Sequence, residues 1–141
     1  MFKSKVLVID DDRDFLASMR SILETYNYSV VEAETGKEGL QKLAVHKPDV
    51  IILDIMMETL SEGYSVNFAI KKLDEYKEYR NIPIIMISAI ESDPDERFPM
   101  SEGYVDAISP NYYMTKPIDI PKFLGILEEV IQKARKSQIR G

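Results

Sequence analysis

Val6-Leu7-Val8-Ile9-Asp10-Asp11-Asp12 and Val50-Ile51-Ile52-Leu53-Asp54 are the two stretches that decide how this chain is built. Each is an apolar, β-branched run of strand length that ends in carboxylates. Two buried strands therefore each deliver acids at their C-terminal ends. In open α/β sheets that edge, where the strand order reverses, is where ligands bind. If the two strands are neighbours, three or four acids crowd one crevice. Like charges so close raise one another's pKa unless a cation sits between them, so the cluster predicts a hard divalent metal.

Outward from these runs, Asp11 or Asp12 can cap an amphipathic helix in which Phe15, Met19, Ile22 and Leu23 recur at helical spacing. Asn27 breaks it, and Ser29 to Ala33 reads as a strand. Thr35 with Glu38 three places on is a capping-box signature ahead of Leu40, Leu43 and Ala44. Pro48 and Asp49 turn the chain into the run ending at Asp54. A loop containing Gly63 then leads to a helix carrying Val66, Ile70 and Leu73, and Ile82-Pro83 introduces a strand from Ile84 to Ile87. The last pair is a strand from Tyr112 to Thr115 and a helix with Phe123, Leu124, Leu127, Val130 and Ile131 on one face. Such alternation means a parallel sheet covered on both faces, because parallel strands need crossovers, and right-handed crossovers leave it doubly wound.

Composition narrows the class. The chain has 141 residues, 45% of them hydrophobic, which suits one domain with a real core. A formal charge of −6 argues against nucleic acid or a membrane surface as partner and points to a protein or a small anion. The absence of cysteine excludes disulfides and thiolate metal sites and sits easily with the reducing cytosol. No apolar stretch approaches the roughly 20 residues of a membrane span, and Met1 to Lys5 lacks a signal-peptide core, so the expected location is cytoplasmic. DNA binding is not expected, because no helix-turn-helix pattern is read in these residues. His46, the single histidine, falls near a helix end and reads as solvent-facing, not as a phosphodonor. Lys133, Arg135, Lys136 and Arg140 read as a solvated helix terminus that complements the helix dipole.

Four motifs in order, Val8-Ile9-Asp10-Asp11, Leu53-Asp54-Ile55-Met56-Met57, Ser88-Ala89 and Lys116-Pro117, resemble the receiver domain of two-component response regulators, specifically a stand-alone, chemotaxis-regulator-like receiver. The resemblance covers nearly the whole chain. It implies a flavodoxin-like, doubly wound, five-stranded parallel sheet of order 2-1-3-4-5. It also implies one domain over 1–141, with a core of about 4–136 and a short basic tail. Asp54 matches the phosphoacceptor, taking a phosphoryl group from a histidine kinase or phosphotransfer protein. Asp10, Asp11, Asp54 and the backbone carbonyl of Met56 match the Mg²⁺ ligands. Ser88 and Lys116 match the hydroxyl and ammonium that bind phosphoryl oxygens. Tyr113 matches the aromatic that switches with Ser88, Tyr112 being its adjacent rival, and the Lys116-Pro117 bond is expected to be cis. Asp12 reads better as a helix cap than as a ligand. The family implies no enzyme beyond self-catalysed phosphotransfer and autodephosphorylation. It implies an undefined downstream protein partner, no nucleic acid or membrane, and a monomer or weak dimer.

The departures are specific. Glu58 stands where the family has a proline, Gly63 arrives one residue late, and Lys116 follows Ser88 by 28 positions. That long stretch holds Pro94, Pro99 and Pro110, each costing about 3 kcal/mol inside a helix, so the fourth helix is expected to be irregular or degenerate, with Phe98, Met100 and Tyr104 against the sheet. Glu91, Asp93, Asp95, Glu96, Glu102 and Asp106 against Arg97 make the stretch acidic, suiting a basic or apolar partner. The resemblance implies that Met56 and Ile90 flank the phosphate, where they are expected to shield it from water and slow its hydrolysis. Two rival readings are a pseudo-receiver, acting as a phosphorylation-independent interaction module, and an aspartate-nucleophile phosphatase. The latter lacks its second acid, because Met56 holds that position.

Overall fold

The computed structural model describes residues 4–54, 62–88 and 112–140, excepting the side chains of 62–64, 88 and 137–140. Strand β1 (Lys5–Ile9) leads to helix α1 (Arg13–Thr25), β2 (Ser29–Ala33), α2 (Gly36–His46) and β3 (Val50–Asp54). Helix α3 (Glu62–Lys72), a 3₁₀ helix (Asp74–Tyr79), β4 (Ile84–Ser88), β5 (Tyr112–Thr115) and a last helix, α4 (Ile120–Arg140), follow. The strands form a sheet of order β2-β1-β3-β4-β5 with every pairing parallel, the flavodoxin-like order the motifs implied.

Strict side-chain alternation along the strands divides the core in two. Val6, Val8, Val50, Ile52, Ile85 and Ile87 pack with Leu16, Met19 and Leu23 of α1 and with Phe123, Leu127, Val130 and Ile131 of α4. Leu7, Ile9, Ile51, Leu53, Ile84 and Met86 face the other way, against Leu43 of α2, Val66 and Ile70 of α3, and Tyr79. At about 1.5–3 kcal/mol for each fully buried side chain, these two layers are what hold the sheet between its helices.

Local chemistry sets the element ends. Thr35 caps α2 by accepting the amide of Glu38 at 3.0 Å, as the capping-box signature required. Helix α1 stops at Thr25, with Asn27 in the left-handed region at φ 70°. Other expectations are corrected. Leu16, not Phe15, is in the buried seam of α1, while Phe15 and Ile22 are half-buried. Gly63 belongs to α3 and not to a loop before it. Leu73 is off the buried face and 39% exposed, because α3 ends at Lys72 and the chain tightens into the 3₁₀ helix that brings Tyr79 inward. Lys71 holds that reversal, its Nζ donating to the carbonyls of Arg80 at 3.0 Å and Ile82 at 3.2 Å. The irregular fourth helix, the acidic stretch and Phe98, Met100 and Tyr104 all lie outside the described residues, as do Glu58 and Ile90.

Candidate phosphoacceptor site

Register brings the two acidic strand ends together. Ile9 lies opposite Leu53 across the central pair, so Asp10 and Asp54 leave adjacent strands at the same edge of the sheet. Asp10 is fully buried and Asp54 is 4% exposed. With exposed Asp11 they form a group whose carboxylate oxygens lie within 4.8 Å of one another. The third acid of the triplet turns away to a different task. Asp12 is the N-cap of α1, its Oδ1 accepting the amides of Asp14 at 3.0 Å and Phe15 at 3.2 Å. Its own amide donates to Asp10 Oδ1 at 2.9 Å, which fixes the carboxylate plane of Asp10.

Lys116 reaches the crevice from just beyond β5. Its Nζ lies 2.9 Å from Asp10 Oδ2 and 3.9 Å from Asp54 Oδ2, with the side chain 20% exposed. Burial makes these contacts stronger than a surface pair, because little water screens them. Against three carboxylates the ammonium supplies one positive charge. The group therefore keeps an excess of two negative charges on hard oxygen donors, which fits a divalent cation of the Mg²⁺ type. The Lys116-Pro117 bond is cis.

Ser88 ends β4 opposite Thr115 of β5, at the same edge, though its hydroxyl is outside the described side chains. Met56, whose carbonyl was the remaining expected ligand, is also outside them. The tyrosine pair separates by strand alternation. Tyr112 packs against the α1–α4 side of the core, whereas Tyr113 points to the opposite face and is 38% exposed. His46 is the last residue of α2 and half-buried, its carbonyl accepting Lys5 Nζ at 3.1 Å.

One contact was not anticipated from sequence. The Lys116 ammonium lies 4.1 Å from the centroid of the Phe15 ring. An aromatic in the first turn of the helix that starts beside the acids was the available signal, but helical spacing assigned it to the core.

The family model described as the response regulator receiver domain matches residues 6–128, from β1 into α4. Protein PilH of Pseudomonas aeruginosa is 27% identical over 128 residues, covering 91% of this chain and 98% of PilH. The probable transcriptional regulator ycf27 of Guillardia theta is 34% identical over 139 residues, covering 96% of this chain and 48% of the relative, so the chain spans about half of that regulator's length. Among solved structures, a CheY-like response regulator receiver domain protein from Methanospirillum hungatei has a TM-score of 0.77 at 24% identity, covering 97% of this chain and 99% of that one, which establishes a shared fold. Among the described residues no helix is long and apolar enough to cross a membrane. With the family's sheet order, its acidic edge and a family match from β1 into α4, the chain belongs to the response regulator receiver domains of two-component signalling.

Proposed function

We propose that the chain works as a single receiver domain in the cytoplasm, accepting a phosphoryl group from a histidine kinase or phosphotransfer protein onto Asp54. The observation that carries this reading is Asp54 itself: a 4%-exposed carboxylate among two other acids, with a lysine ammonium 3.9 Å away. A carboxylate oxygen of Asp54 attacks phosphorus in line, the new O–P bond forming as the bond to the leaving group breaks. Little covalent work is left to the protein beyond positioning and charge neutralisation. Lys116 pairs with one phosphoryl oxygen and the Ser88 hydroxyl donates to another. Asp10, Asp11, Asp54 and the Met56 carbonyl are the residues that would hold Mg²⁺, which when bound neutralises charge on the phosphoryl oxygens. Tyr113 and Ser88 then change position with the acyl phosphate, and a downstream protein reads the shifted population. Self-catalysed hydrolysis ends the signal, and Met56 and Ile90 slow it.

The test is intact mass after incubation with acetyl phosphate and Mg²⁺, beside Asp54→Asn and a chelator control. A Mg²⁺-dependent gain of one phosphoryl group, absent in the variant, is the expected result. No gain in demonstrably folded protein would overturn this reading in favour of a pseudo-receiver.

A further inference from the structure

We propose that Phe15 is a positioning residue for Lys116, its ring face holding the ammonium at the carboxylate crevice so that phosphoryl transfer to Asp54 finds the charge already in place. The inference rests on the receiver reading above. A lysine is a point charge on a flexible four-carbon stem, and its head must be restrained if it is to serve one oxygen repeatedly. Asp10 restrains it from one side at 2.9 Å, and the Phe15 ring from another at 4.1 Å to the centroid. The ring is itself anchored. The Phe15 amide is bound by the Asp12 cap at 3.2 Å, and the side chain packs half-buried against the core layer of α1 and α4.

An aromatic face suits this task better than a further carboxylate would. Its quadrupole attracts the cation but offers no lone pair, so the N–H donors stay available for oxygens. A fourth acid would compete with the incoming phosphoryl group and add negative charge to a crevice that already has an excess. A leucine at position 15 fills space in the core and attracts nothing. The acidic triplet and Phe15 thus form one device, in which Asp12 sets the first turn of α1, that turn sets the ring, and the ring sets the lysine.

Three measurements on the whole chain test this. In Mg²⁺-free protein, the Lys116 ε-methylene protons should show an upfield ring-current shift by NMR, lost in Phe15→Leu and kept in Phe15→Tyr. A urea-unfolding double-mutant cycle between Phe15→Leu and Lys116→Met should give a coupling of about three- to tenfold in the unfolding equilibrium constant. Phosphorylation by acetyl phosphate should slow about three- to tenfold in Phe15→Leu, with the half-saturating donor concentration unchanged and Phe15→Tyr near wild type. If Phe15→Leu does not fold, Phe15→Met replaces it. An absent ring-current shift in the wild type, or a coupling of one, overturns the contact. A shift and coupling as expected, with an unaltered rate in Phe15→Leu, overturn the positioning role. Folded wild type that takes no phosphate at all overturns the receiver reading, while the first two measurements still decide the contact.

Discussion

At the scale of single residues, Gly39 packs against Ile9, the residue that precedes Asp10. A Cβ there would lie 2.4 Å from Ile9 Cδ1 and 2.9 Å from Ile9 Cγ1. Alanine would gain about 1 kcal/mol of helix propensity in α2 but cost about 1–3 kcal/mol in overpacking. Ile9 ends β1 inside the buried layer between the sheet and α2, so its side chain must shift to admit the methyl, and Gly39→Ala should lower stability by about 1 kcal/mol in urea unfolding. Because Ile9 directly precedes Asp10, the same change should perturb the Asp10 amide resonance. Lys47 offers the opposite case. It closes α2 in the left-handed region at φ 46°. A side chain there costs about 1–2 kcal/mol, partly offset by the flexibility glycine adds to the unfolded chain. Lys47→Gly should therefore stabilise the protein by about 0.5–1 kcal/mol, readable in the same unfolding curves. Neither position was legible as special in sequence, since a close approach and a left-handed turn are properties of the packed backbone.

At the scale of elements, β2 is an edge strand whose outward carbonyls are covered. Arg20 of α1 donates to the Val30 carbonyl and binds Glu32, and Lys42 of α2 donates to the Glu32 carbonyl. Unpaired edge groups are templates for pairing with another chain, and charged side chains blunt them. The double variant Arg20→Met with Lys42→Met should self-associate in sedimentation at high concentration while retaining its far-UV spectrum; a strictly monomeric variant would show the edge needs no such cover. Lys42 also pairs with Glu38 in the first turn of α2, at 3.0 Å. The hydrogen bond to Lys42 outweighs desolvation and holds the Glu38 carboxyl below its ordinary value. A lowered folded-state pKa contributes stability that is present above the unfolded-state value and lost as pH falls through the folded one. The stability difference between wild type and Glu38→Gln, about 0.3–0.5 kcal/mol near neutrality, should shrink toward zero on acidification below that range. A difference that stayed constant from pH 7 to pH 3 would rule the pair out.

At the scale of the whole molecule, the acidic edge sets stability against function. Three carboxylates, two of them buried, crowd this edge against one ammonium, so like charges repel within the crevice. In chelator, Asp54→Asn should stabilise the protein by about 1–2 kcal/mol in urea unfolding, because it removes one of the crowded like charges. Mg²⁺ should stabilise the wild type by about 1.4 kcal/mol at ten times its Kd and the variant by less; thermal melts that Mg²⁺ leaves unmoved in both proteins would show that the cluster is no cation site. The sequence by itself determined the five strands, the parallel doubly wound class and the identity of the acids, because hydrophobic runs and caps are local signals that survive into the fold. It left open which of two tyrosines faces away from the core, and it placed Leu73 on a buried stripe that the residue leaves. Those depend on register and on where each helix stops. The ring beside Lys116 belongs to the same kind: Phe15 and Lys116 are distant in sequence, and only the sheet that places β5 near the start of α1 brings an aromatic face to a charge.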